Sequence, residues 1–151
     1  MKFCKASTLF YPDLKEISPG WWELQKDYTL VVGNDRIDVP KGFQCDLASV
    51  PSGLQFWYGT PGSTQNAAAG LCHDKLYTNH MCAVMTKGKW GNQSITRKEA
   101  DDILYNILIM FGHSRFRAYK MWLGVRMFGG SHWKSLSAKY SARMKSMGET
   151  Q

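Results

Sequence analysis

At 151 residues, 44% of them hydrophobic and 13% aromatic, the chain can fill one core but is too short for two comfortable ones. No apolar run approaches the roughly 18 residues that a bilayer-spanning helix needs, and residues 1–14 lack the apolar centre of a signal peptide. The formal net charge of +7 is concentrated. Residues 1–111 carry equal numbers of basic and acidic side chains, whereas Gly112 to Gly148 holds eight basic residues and no acid. That asymmetry points to an anionic partner or to a solvated basic face.

In chain order, WWEL (21–24), YTLVV (28–32) and RIDV (36–39) read as strands. Gly33-Asn34-Asp35 forms a turn among them, predicting an antiparallel hairpin or three-stranded meander. Residues 40–64 are punctuated by Pro and Gly and read as an ordered loop lying over the helical half. A first helix is predicted over about 64–81, with Ala69, Cys72, His73, Leu76, Tyr77 and His80 on one face and Lys75 opposite. TKGKWGNQ (86–93) reads as a loop. A second helix opens at Thr96, with Glu99 completing a capping box. Ala100, Ile103, Leu104, Ile107, Leu108 and Phe111 form its apolar stripe, and Gly112 ends it. On this wheel Asp101 flanks the stripe, while Asp102 lies on the water side.

A third helix over about 114–128 carries Phe116, Tyr119, Trp122, Leu123 and Phe128. At helical spacing these residues read as core in preference to base-stacking groups. The basic segment 134–151 reads as a surface helix or tail. The expected fold class is α+β: a small N-terminal antiparallel sheet followed by a bundle of three or more helices, in a single domain over 1–133.

The densest chemistry is AAAGLCHDKLYTNH (67–80). A histidine on one helix facing an aspartate on the next is a minimal device for activating water. His73 is therefore the candidate base, Asp101 its partner and Tyr77 the third member of the group. Asp46 and Asp74 are candidate calcium ligands, because hard cations take carboxylates together with backbone carbonyls from irregular loops. His80, His113 and His132 show no zinc-ligand spacing. Cys4, Cys45, Cys72 and Cys82 form no CxxC and read as free, mostly buried thiols.

The segments VPKGFQCDLASVPSGL (39–54), AAAGLCHDKLY (67–77), KEADDIL (98–104) and VRMFGGSHW (125–133) together resemble a domain-of-unknown-function family of phage and prophage proteins. Cys45 stands where that pattern has Thr, and Leu104 where it has Phe. The resemblance implies a bacteriophage origin, with virion proteins as possible partners and the host cytoplasm or the virion as location. His73, Asp74, Tyr77 and Asn79 also resemble, more loosely, the active helix of the small prokaryotic phospholipases A2. That likeness implies His73 as base, Asp101 as its orienter, and Asp46, Asp74 and the Leu47 carbonyl as calcium ligands. The disulfides of that family are absent here.

The leading expectation is a phage-encoded, calcium-assisted ester hydrolase acting on a lipid or envelope component. A non-enzymatic virion or tail component is the rival. A nucleic-acid-binding or anti-defence protein using the basic residues of 115–145 is the third.

Overall fold

The computed structural model describes residues 10–47, 64–135 and Ala138. The loop expected over 40–64 and the tail expected over 134–151 lie mostly outside these residues.

The described chain is mixed α+β, with two antiparallel sheets. Strands β1 (Leu14–Ser18), β2 (Trp21–Leu24) and β5 (Gln44–Cys45) form one of them in the order β1-β2-β5. The other runs β3 (Tyr28–Val32), β4 (Asp35–Val39), β6 (Met81–Thr86) and β7 (Lys89–Ser94). The strand period is visible in β3, where Tyr28, Leu30 and Val32 are buried while Thr29 and Val31 face out. Gly33, at φ +61°, makes the tight turn that pairs Val32 with Asp35. A glycine with positive φ at the first central position suits a two-residue hairpin loop.

Of the expected hairpin or three-stranded meander, the β3–β4 hairpin forms and the meander does not. β2 leaves β3 and β4 to pair with β1 and with Gln44–Cys45, inside the stretch read as wholly irregular. The loop expected at 86–93 is corrected as well. It is the turn and second strand of the β6–β7 hairpin, closed by Lys87 (φ +50°) and Gly88 (φ +78°). Positive φ at both central residues is the hairpin geometry that matches strand twist.

Helix α1 (Thr64–Asn79) is flanked on many sides, so the one-faced pattern expected of it gives way to a nearly all-round burial. Ala68, Ala69, Leu71, Cys72, Leu76 and Tyr77 are all in the core. Lys75 is half-buried, with its ammonium over the Phe43 ring. α1 ends as His80 adopts φ +56° and donates its backbone N–H to the Leu76 carbonyl, the left-handed cap usually given to glycine.

α2 (Arg97–Met110) starts with the expected capping box. Thr96 Oγ1 accepts from the Glu99 N–H, and the Glu99 carboxylate accepts the Thr96 N–H at 2.7 Å. Its stripe packs on α1. α3 (Arg115–Phe128), capped by Ser114, packs on α2. Its aromatics are not core, contrary to expectation. Only Ala118 is fully buried, while Phe116, Tyr119, Leu123 and Phe128 are exposed. After Gly129 the backbone turns helical again over 130–135.

Candidate functional site

His73 and Tyr77, one turn apart on α1, project the same way toward α2. Asp101, in the first turn and a half of α2, receives both. His73 Nε2 lies 2.8 Å from Asp101 Oδ1, and the Tyr77 hydroxyl donates to the same oxygen at 2.6 Å. The two rings lie 4.1 Å apart. The second carboxylate oxygen accepts from Arg126 Nη1 at 2.9 Å. Asp101 is 0% exposed and His73 2%. Burial works to raise the Asp101 pKa. The hydrogen bonds from His73, Tyr77 and Arg126 outweigh it and hold the carboxyl below its ordinary value. Burial, and then the bond to Asp101, push the Tyr77 phenol upward, so it stays a neutral donor.

An ionised carboxylate only accepts, so the ring nitrogen facing it must carry the proton. In the neutral imidazole the lone pair is then on His73 Nδ1, and that buried atom has no hydrogen-bond partner among the described residues. Asp102 separates from its neighbour as expected. Its side chain is 40% exposed, and it accepts from Lys98 at 2.6 Å and from the Trp122 indole at 2.9 Å.

Burial pushes the Cys45 thiol upward, and the Asp74 and Asp46 carboxylates add to it. The Leu47 carbonyl reaches α1 beside Gly70, 3.0 Å from where a Cβ would sit. Asp74 is buried. Asp46 faces His132, with Nε2 to Oδ2 at 3.5 Å. Among the described residues, no group of three or more His, Cys, Asp or Glu side chains converges as a metal site. The free thiols Cys45, Cys72 and Cys82 are buried as expected.

Four contributors were not anticipated for this site. Arg126, expected to face an anionic partner or solvent as part of the basic excess, turns inward to Asp101. Arg97 donates from Nη2 to the Arg126 carbonyl at 3.2 Å, tying the start of α2 to the end of α3. Trp133 packs edge-on against Tyr77, with ring centres 5.0 Å apart, and stacks on His80 at 3.7 Å. Gly129, expected only to stop a helix, is the point of close approach. A Cβ there would stand 2.7 Å from the Tyr77 hydroxyl and 2.5 Å from the Val125 carbonyl. Gly129→Ala is therefore expected to destabilise the fold by about 1–3 kcal/mol, the usual range for overpacking. Urea unfolding checks this, and an unchanged midpoint would show that the hydroxyl and the Val125 carbonyl both yield freely.

The chain belongs to the family described as "Protein of unknown function (DUF1353)", whose pattern matches residues 22–125. The match takes in His73, Asp74, Tyr77 and Asp101 and ends one residue before Arg126. No curated protein and no solved structure matches the chain.

Proposed function

We propose that this member of the family is a phage-encoded hydrolase, in which His73 activates water against an ester of a lipid or envelope component. The carrying observation is the state of one ring: Nε2 is committed to Asp101, and Nδ1 is buried without a partner among the described residues. A histidine kept for packing ordinarily has both nitrogens satisfied. An orphaned lone pair beside an oriented imidazole is what a general base requires.

In the reaction, Nδ1 removes a proton from water as the water oxygen bonds to the ester carbonyl carbon. The same proton then passes to the departing alkoxide, giving a carboxylic acid and an alcohol. Asp101 steadies the imidazolium through Nε2–H. Tyr77 and Arg126 fix Asp101, and Arg126 balances its charge, so both are positioning residues. With His73 nearly enclosed, turnover needs the surrounding residues to admit substrate.

Calcium belongs to this reading as a proposed cofactor. Asp46, Asp74 and the Leu47 carbonyl would hold it, and it would polarise the substrate carbonyl. Their hard oxygen donors support the assignment, as does the Leu47 carbonyl lying against Gly70 of α1, the helix that carries Asp74. At saturating calcium the melting temperature is expected to rise by linkage, by about 2.7 kcal/mol of stability at a hundredfold excess over Kd. No thermal shift, together with activity indifferent to chelator, would remove calcium from the account. Hydrolysis of short-chain esters and phospholipids by the purified chain tests the activity itself.

The second reading is a non-enzymatic virion or tail component, and the burial of His73, Tyr77 and Asp101 supports it. There the same bonds serve to fix helix packing. The host cytoplasm and the virion are the proposed locations for the two readings respectively.

A further inference from the structure

We infer that the outward face of α3 is a docking surface for an anionic lipid bilayer. Phe116, Tyr119, Leu123 and Met127 are 71%, 51%, 39% and 66% exposed. At 100° per residue they fall within about 80° of one another, on the side of the helix opposite buried Ala118 and half-buried Val125. Four large apolar side chains in one outward stripe are more than scattered surface hydrophobics.

The charges that α3 itself carries are all of one sign; Asp102 of α2, which reaches the Trp122 indole beside Tyr119, is paired with Lys98. α3 contains Arg115, Arg117, Lys120 and Arg126 and no acid. Arg115 and Arg117 are exposed in the first helical turn, where a positive charge opposes the helix dipole. Lys120 lies along the stripe, its ammonium 4.7 Å from the Phe116 ring centre. Cations kept at the unfavourable end of a helix, flanking an apolar ridge, fit a surface that presents anionic headgroups above acyl chains. A water-facing helix would have no use for the ridge.

No helix among the described residues is long and apolar enough to cross a membrane, so the contact is with one face of the bilayer. The docking helix is also tied to the candidate site, since Arg126, at the edge of the stripe beside Tyr119, turns back to bind Asp101. Lipid docking stands without the hydrolase reading. Only the delivery of a lipid ester to His73 rests on it.

The test uses the full chain with vesicles of phosphatidylcholine alone and with about one-third phosphatidylglycerol, read by flotation without any assay of hydrolysis. Binding is expected to favour the anionic vesicles by about tenfold or more. Phe116→Ser with Leu123→Ser should weaken it by about tenfold or more. Arg115→Glu with Arg117→Glu should abolish the preference for anionic lipid while leaving the fold intact, because acids suit a helix N-terminus. His73→Gln should bind vesicles like the parent, so a failed hydrolase reading would leave this result standing. Absence of vesicle binding would overturn the proposal, as would equal binding by the double-serine variant. So would a dimer that the double-serine change dissolves, or tighter binding to a short DNA duplex than to vesicles.

Discussion

His73→Gln is expected to fold and to lose about two orders of magnitude or more of ester hydrolysis, the scale of a missing general base. The glutamine amide can still donate toward Asp101 Oδ1, which now receives His73 Nε2 at 2.8 Å. It has no lone pair able to take a proton from water near neutral pH. If the network serves only packing, the outcome reverses. The variant would show no change in a hydrolysis that was never there, and would lose roughly 1–3 kcal/mol because the hydrogen bonding around buried Asp101 is disturbed. Thermal melts and ester assays on parent and variant together decide between the readings. A destabilised variant of a protein that hydrolyses nothing would sink the enzyme and leave the virion component.

The His73–Asp101 contact was legible in sequence because two local signals converge on it. The capping box at Thr96 and Glu99 sets where α2 begins, and the apolar stripe from Ala100 to Phe111 sets its phase, so Asp101 must turn inward and Asp102 outward. Arg126 carries no such signal. A long, flexible cation in a basic run looks the same whether solvated or reaching inward, and only the seating of α3 on α2 decides. The same limit explains the aromatics of α3. Their spacing predicts a common face without saying whether that face meets protein or something else. The missed strand β7 has the opposite cause. Only Trp90 of its six residues is even half-buried, so no alternation marks it, and its structure comes from the Lys87-Gly88 turn and pairing with β6. Gly129 reads as a helix stop because glycine has many uses, and the nearness of the Tyr77 hydroxyl is a fact of tertiary packing.

Arg126→Met is expected to give one of the largest losses of stability, about 3 kcal/mol. That is the low end for breaking a buried ion pair by removing one partner, chosen because the Arg126 side chain is 27% exposed while Asp101 is fully enclosed. The methionine keeps much of the packing along the arginine stem, so the loss reports the stranded carboxylate. Acid unfolding supplies a second readout with a definite sign. In the parent, Asp101 titrates below its ordinary value when folded. Its stabilising contribution is therefore present above about pH 3.9, the unfolded value, and disappears as pH falls through the lower folded one. Losing Arg126 removes one of the bonds that oppose the effect of burial, so the folded value rises and the gap narrows or reverses. The difference in stability between parent and variant should thus be greatest near neutral pH and shrink steadily in acid, as protonation neutralises the stranded charge. Urea titrations from neutral pH into the acid range measure both effects. Equal stability at pH 7, or a difference that does not shrink in acid, would mean that Arg126 only covers Asp101 and does not balance it.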